Sequence, residues 1–467
     1  MSTVVTELSR PDLSRAGRRR LIASLSVSQL LDRRAFLWRT FLLAGVAASG
    51  PLLTACGGGS SGGSGGGVAP RQNGRFANLG PLGEPNEFGV RLPEGFTMRI
   101  IAQATKPVAD TGYRWHIFPD GGGVMPREGG GWYYISNSEV PGVGSIGFAI
   151  PELAPLTDPL EFLVPGLGGT SVIAFAADGT ITDAYRILSG TTFNCAGCVT
   201  PWRTWLSCEE IPEGLVWECD PTGREKAVSR PTLGKFAHEA TAVDDARKVI
   251  YMTEDHPSGR FYRWLPAEGD WPEGAARPAL KNGRLQVMQV VGEGVVSALE
   301  RPQPVVWVDA LKPTQAQYRN RVADSTPFDG GEGLWIHDSY VYFSTKGDDR
   351  IWVYDIDAGM IEVLYDFATS DNPILSGVDN ITVTDQGDVL VAEDGGDMQV
   401  VVILPDGQLK PLLQIVGQDE SEVAGIAFSP DGRHLYFTSD RGGQRLNGGY
   451  TGLGLGITYE LTLPPGL

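Results

Sequence analysis

The sequence predicts an all-β fold, a single six-bladed β-propeller with long insertions. Three observations predict it. Glycine (62) and proline (32) together supply about one residue in five of the 467, too many for a helical bundle and suited to short strands joined by turns. Short β-branched and aromatic runs, such as Val172–Ala176, Val249–Thr253, Val341–Ser344, Val389–Ala392 and Leu435–Thr438, alternate with turn signals, and long helical periodicity is absent. The strand ends also repeat. Asp348, Asp394 and Asp440 are spaced by 46 residues, and Asp255 lies 93 residues before Asp348, close to two further periods. A period of roughly 40–50 residues with several strands per repeat is a propeller signature. The mature length at that period has room for eight blades. Six are expected, with insertions near Trp264–Pro304 and in the N-terminal third.

Three segments are expected: a signal peptide over 1–55, a tether over 56–75 and the propeller over 76–467. The first 55 residues carry eight arginines against Glu7, Asp12 and Asp32. Within them Asp32-Arg33-Arg34-Ala35-Phe36-Leu37 has the form of a twin-arginine export motif. The apolar run Thr40–Leu53 that follows is short and rich in small residues, unlike a membrane span. Leu53-Thr54-Ala55-Cys56 has the form of a lipobox, with Cys56 acylated as the first mature residue. Gly57–Gly67 is all glycine and serine, the composition of a flexible tether. The expected product is an exported lipoprotein, periplasmic or at the cell surface, held to the bacterial membrane by lipid.

Beyond residue 55 the balance is 30 basic to 53 acidic residues. That excess excludes a nucleic-acid-binding surface and raises the question of cations. The repeat organises the acids. Glu239 precedes Asp255 by 16 residues, Glu332 precedes Asp348 by 16, Asp379 precedes Asp394 by 15 and Cys195 precedes Glu210 by 15. Each early residue opens the first strand of its blade, which in a propeller lines the central channel. Cys195, Glu239, Glu332 and Asp379 are therefore expected at one end of the channel. Glu209/Glu210, Glu254/Asp255 and Glu393/Asp394, at the end of the next strand, are expected beside them. Carboxylates and a thiolate in one small volume call for cations, calcium for hard oxygens and iron or another transition metal for the mixed set. Asp348 and Asp440 are read as turn caps. Cys195, Cys198, Cys208 and Cys219 show no second C-x-x-C and have no histidine nearer than His238, which argues against tetrahedral zinc. Strand alternation turns His238, next to Glu239, away from the channel.

Asn194-Cys195-Ala196-Gly197 followed by Thr200-Pro201-Trp202-Arg203-Thr204-Trp205-Leu206-Ser207-Cys208-Glu209-Glu210 resembles the most characteristic block of the PhoX-type alkaline phosphatases. Gly234–Ala240, Val249–Asp255, Phe328–Gly333 and Val378-Asp379-Asn380 resemble later blocks. The resemblance implies a six-bladed propeller exported by the twin-arginine route. It implies a ferric-iron and calcium cluster at the channel mouth and hydrolysis of small phosphate monoesters by a monomer. It makes Cys195, Glu239 and Glu332 catalytic metal ligands, with Cys195 binding iron. Glu209, Glu210, Glu254, Asp255, Asp379, Glu393 and Asp394 become further candidate ligands.

Three positions depart from the family pattern. Gly330 stands where an arginine often clamps phosphate, Asn137-Ser138-Glu139 replaces Asn-His-Glu, and Cys198 replaces a glycine. Arg203, Arg350 and Arg441 are the candidate substitutes for the missing arginine. Cys198 and Cys219, both outside the family pattern, are expected to form a disulfide, the strand Leu215–Cys219 folding back on Thr204–Cys208. Two other functions fit channel acids: a calcium-dependent lactonase-like propeller, and a non-catalytic lipid-anchored calcium-binding propeller. Neither needs Cys195.

The leader carries its own prediction. Intact-mass measurement of membrane-extracted protein is expected to show a chain starting at an acylated Cys56. A soluble native protein that retains residues 1–55 would contradict it.

Overall fold

The computed structural model describes residues 74–140, 168–292, 302–419 and 421–443, and beyond these 445–446, 449–450 and 454–467. The chain divides into two units, Met1–Gly67 and Val68–Leu467. The expected export signal, Cys56 and most of the tether lie outside the described residues.

The described strands group into antiparallel blades in chain order. The first blade is Pro119–Pro126, Trp132–Ser138, Gly168–Phe175 and Ile181–Thr191. The second is Asn194–Val199, Trp205–Glu209, Val216–Cys219 and Val228–Ser229. The third is His238–Asp244, Val249–Glu254, Tyr262–Pro266 and Gly283–Val290, and the fourth Gly331–His337, Tyr340–Thr345, Arg350–Asp355 and Met360–Asp366. An additional strand, Gln303–Asp309, pairs with the outer edges of the third and fourth blades and joins them into one nine-stranded sheet. It ends the segment in which an insertion is expected.

The fifth blade is Val378–Val383, Val389–Glu393, Gln399–Ile403 and Leu409–Ile415, edged by Val90–Arg91. The last holds Val423–Phe428, His434–Ser439 and Ile457–Thr462, and its outer strand, Thr97–Gln103, comes from the N-terminal end of the propeller. Pairing the two ends of the chain in one blade closes the ring, so no blade is left with an open face.

The first strands of successive blades are neighbours around the whole ring, the sixth returning to the first. The apolar core is correspondingly divided between blades. Leu390 and Val402 pack against Phe437 and Leu461 between the fifth and sixth, and Tyr134 and Phe175 against Tyr436 between the first and sixth. Leu206 meets Tyr262 and Trp264 between the second and third, and Ile135 meets Trp205 between the first and second. Each sheet buries its two apolar faces only against its neighbours, which is why closure is obligatory.

The first two strands of every blade share one irregularity. Their register is interrupted near the start of the pairing: after Pro119↔Ser138, Asn194↔Glu209, His238↔Glu254, Gly331↔Thr345 and Val378↔Glu393 in the first five blades, and after Ala424↔Thr438 in the sixth. A bulge at that point re-aims the next side chain. The residue after it is small in most blades, Gly121, Ala196, Ala240, Gly333 and Gly425, because the inner strands approach closely there. A Cβ on Gly333 would come within 2.6 Å of Asp379 O, and one on Gly121 within 2.4 Å of Ala196 Cα. Behind this constriction the channel widens into a cavity of about 910 Å³ lined by residues such as Cys198, Thr241 and Ile426.

The closure makes a prediction. Deleting residues 457–467 removes the strand that Thr97–Gln103 pairs with. With Tyr459 gone, Phe437 loses its stacking partner and is uncovered. Thermal melting followed by circular dichroism is expected to lose its cooperative transition; a truncated chain that melts like the full one would contradict closure as the stabilising device.

Candidate metal centre at the channel mouth

The bulges place one residue per blade at the same end of the channel: Asp120, Cys195, Glu239, Glu332, Asp379 and, in the last blade, Ala424. The residues that immediately follow the second strands form a matching set: Glu139, Glu210, Asp255, Lys346, Asp394 and Asp440. The backbone fixes this second set identically each time. The N–H of each residue donates to the carbonyl just before its blade's first strand: Glu139 to Phe118, Glu210 to Phe193, Asp255 to Ala237, Lys346 to Gly330, Asp394 to Gly377 and Asp440 to Glu422.

The side chains converge. Glu139, Cys195 and Glu210 each offer an atom within 4.8 Å of the others, and so do Glu239, Glu332 and Asp379. Asp379, Asp394 and Glu422 form another such group, and Glu139, Glu422 and Asp440 a fourth. The Cys195 thiol donates to Glu210 Oε2 at 3.0 Å. Asn137 holds the Cys195 strand in place, its Nδ2 donating to Cys195 O at 2.8 Å and Ala196 O at 2.9 Å while its Oδ1 accepts from Trp205 Nε1.

Among the described residues, two cations enter this cluster. Lys346 Nζ lies 3.0 Å from Glu332 Oε1, 3.1 Å from Asp394 Oδ2 and 3.3 Å from Asp379 Oδ2. Arg441 reaches Glu422 at 2.7 Å, Asp440 at 2.9 Å, Glu139 at 3.5 Å and Asp394 at 3.6 Å. They do not suffice. Glu332 Oε1 and both Asp440 carboxylate oxygens are buried without a hydrogen bond. Burial, and then neighbouring carboxylates, push Asp120, Glu239 and Asp440 well above the ordinary carboxylate range. Burial and the nearby Asp255 do the same to Glu210. Burial likewise raises Glu332, outweighing Lys346, and pushes Asp379 up to about 7 and Glu139 up to about 8. Burial, then Glu210 and Glu239, raise the Cys195 thiol. Buried oxygens without hydrogen bonds, beside a thiol and many carboxyls, are a donor set that fits metal ions, whose charge would reverse each of these shifts.

The structure separates the doublets that the sequence leaves joined. Glu210, Asp255 and Asp394 face the mouth, whereas Glu209, Glu254 and Glu393 turn into their blades, because adjacent strand residues point to opposite faces. Glu209 accepts from Thr192 N, Leu215 N and Trp217 Nε1; Glu254 pairs with Arg321; Glu393 accepts from Ser376 N and Gln399 N. These three lie outside the groups of acids that converge at the mouth.

Of the three arginines, only Arg441 is at the mouth. Arg203 lies in the turn at the opposite end of its strand and donates to Pro126 O, and Arg350 is tied to Asp348 and Asp366. Asp348 accepts from Thr345 Oγ1 as a turn residue does, but Asp440 is fully buried within the cluster and is no turn cap. Gly330 has φ +68°, and a Cβ there would lie 3.2 Å from Asp255 Oδ1, so an arginine at this position would be strained. His238 stacks on Phe236, away from the mouth.

The expected disulfide is absent: Cys198 and Cys219 are free thiols. The register explains it. Cys198 opposes Leu206 and Leu206 opposes Glu218, whereas Cys219 opposes Trp205. One residue of offset puts the two sulfurs on opposite faces of the blade.

The sequence reading missed Asp120, Glu139, Lys346 and Glu422. A signal existed for the first: Asp120-Gly121 repeats the large-polar-then-small pairing of Cys195-Ala196, Glu239-Ala240 and Glu332-Gly333.

The family model described as alkaline phosphatase PhoX matches residues 167–216 and 212–359, from the third strand of the first blade to the third strand of the fourth. The family resemblance read from the motifs is thereby borne out. The structure of Pseudomonas fluorescens PhoX in complex with vanadate, a transition state analogue, superposes with a TM-score of 0.60 at 16% identity, covering 82% of this chain and 97% of that one. At that identity it shows a shared propeller fold. A gluconolactonase from Xanthomonas campestris superposes less well, with a TM-score of 0.40 at 15% identity over 83% of this chain and 98% of its own. No curated protein matches the chain in sequence.

The electrostatics give a pH dependence. Asp379 and Glu139 have folded-state pKa values raised to about 7 and about 8, above their ordinary values of 3.8 and 4.5. The metal-free native state therefore holds protons that the unfolded chain has released. Its stability is greatest below the unfolded values and falls as pH rises towards the folded ones. Melting temperatures of chelator-treated protein are expected to fall from about pH 5 to about pH 8. Asp440→Asn, which removes one of the buried groups that retain a proton in the native state, is expected to flatten the fall. A profile that is level in wild type would contradict the repulsion.

Proposed function

We propose that this chain is an exported, metal-dependent hydrolase of phosphate monoesters, working at the mouth of the propeller channel. The observation that carries the reading is the Cys195 thiol set beside Glu210, with Glu239 and Glu332, within the segment that matches the PhoX family, while Glu139 and Asp379 join the cluster from outside that segment. A site for calcium alone, as in a lactonase-like or a purely structural propeller, would not need sulfur. A thiolate in the set suits iron, with calcium on the oxygen side.

Cys195, Glu239 and Glu332 are the proposed catalytic ligands, with Glu210, Asp255, Asp379 and Asp394 from the sequence reading and Asp120, Glu139, Glu422 and Asp440 from the structure. Bound cations would neutralise phosphate oxygens and stabilise charge on the leaving alkoxide. The chain's own part is positional. The bulges hold the donors on rigid strands, Asn137 fixes the Cys195 strand, and the small residues behind the mouth keep it narrow. Metal binding would remove the thiol proton that Cys195 now shares with Glu210. Twin-arginine export and a lipid anchor at Cys56 complete the proposal, placing the enzyme outside the cytoplasm.

Elemental analysis of protein purified without added metal, paired with a phosphomonoester assay, tests the reading. Iron, calcium and turnover are expected in wild type. Glu332→Gln keeps the shape and removes a charge, and is expected to lose metal and at least ~100-fold in turnover while retaining the fold. Full metal content in that variant, or bound metal without phosphatase activity in wild type, would overturn it.

A further inference from the structure

Lys346 stands where the repeat places a carboxylate. In the second, third, fifth and sixth blades the equivalent positions are Glu210, Asp255, Asp394 and Asp440, each on the same backbone hydrogen bond. The lysine points into the cluster, and its Nζ is shared by Glu332 and by Asp379 and Asp394 of the next blade, at 3.0–3.3 Å. Glu332 and Asp379 are buried, and Glu332 Oε1 has only this charge to compensate it. The ammonium donates to Asp379 Oδ2 and Asp394 Oδ2 and is ion-paired with Glu332, so three carboxylates already compensate its charge and compete with any phosphate oxygen for it. It is also a compact point charge, closer to a metal ion in shape than a guanidinium is.

We propose that Lys346 is a built-in cation that takes the place of one divalent metal ion in the cluster. Metal is thereby excluded from the position between Glu332 Oε1, Asp379 Oδ2 and Asp394 Oδ2, and the proposed ligands serve metal through their remaining oxygens, on the side of Cys195 and Glu239. A second cation among Glu332, Asp379 and Asp394 would meet the ammonium at close range, and the same oxygens cannot serve both. The proposal rests on the reading that the mouth binds metal, and it makes this chain a reduced-metal form of the site.

The test is stoichiometric. Chelator-treated wild type and Lys346→Met are dialysed against calcium and the bound metal is counted by elemental analysis. Lys346→Met is expected to bind about one calcium ion more per chain than wild type. Equal, non-zero stoichiometry overturns the proposal and leaves the metal-enzyme reading standing. A calcium ion bound by the variant alone upholds the proposal and counts against that reading. No metal in either protein rejects both.

A second measurement covers a variant that does not fold. Anomalous scattering from wild-type crystals soaked in manganese is expected to show metal beside Cys195 with Lys346 Nζ still on Glu332. Metal between Glu332, Asp379 and Asp394, with the lysine displaced, would overturn the proposal.

Discussion

Repulsion among buried carboxylates is the constraint on which the rest of this structure depends. The bulges of successive blades aim Asp120, Glu239, Glu332 and Asp379 at one small volume, and Glu139, Glu210, Asp255, Asp394 and Asp440 follow from the neighbouring strands. Left uncompensated, such groups keep their protons or push the strands apart. The chain supplies Lys346 and Arg441, and still leaves Asp440 and Glu332 with buried oxygens that make no hydrogen bond. A fold that tolerates this arrangement has reserved stability elsewhere for a site.

That stability lies between the blades. Each pair of sheets buries its own apolar layer, and the pairing of Thr97–Gln103 with Ile457–Thr462 prevents the ring from relaxing open. Closure does for the site what a single sheet could not. It fixes side chains from six first strands relative to each other, so the acids cannot separate to relieve their repulsion. The glycines and alanines behind the mouth belong to the same device, since larger side chains at Gly121 or Gly333 would collide with the neighbouring blade's backbone.

The fold was legible because a repeat of 46 residues survives in the strand ends, and because Cys195, Glu239, Glu332 and Asp379 each open a first strand. What was not legible depended on a single residue of offset. Glu209 and Glu210 are equally acidic in sequence, yet only the bulge and the alternation of faces decide which of them reaches the mouth. The same offset separates Cys198 from Cys219. Asp440 looked like a turn cap because its blade begins with Ala424, which hides its membership of the set. Lys346 is hidden in the repeat because a base stands in an acidic position, and Glu422 because it sits just before its first strand.

The central claim is that residues from different blades form one cation-binding unit. A double-mutant cycle on calcium affinity between Glu210→Gln in the second blade and Glu332→Gln in the fourth tests it most directly. If the cluster acts as a unit, each single substitution weakens binding nearly as much as the pair, and the effects fall far short of additive. Additive losses, as for sites with no shared partner, would contradict the account.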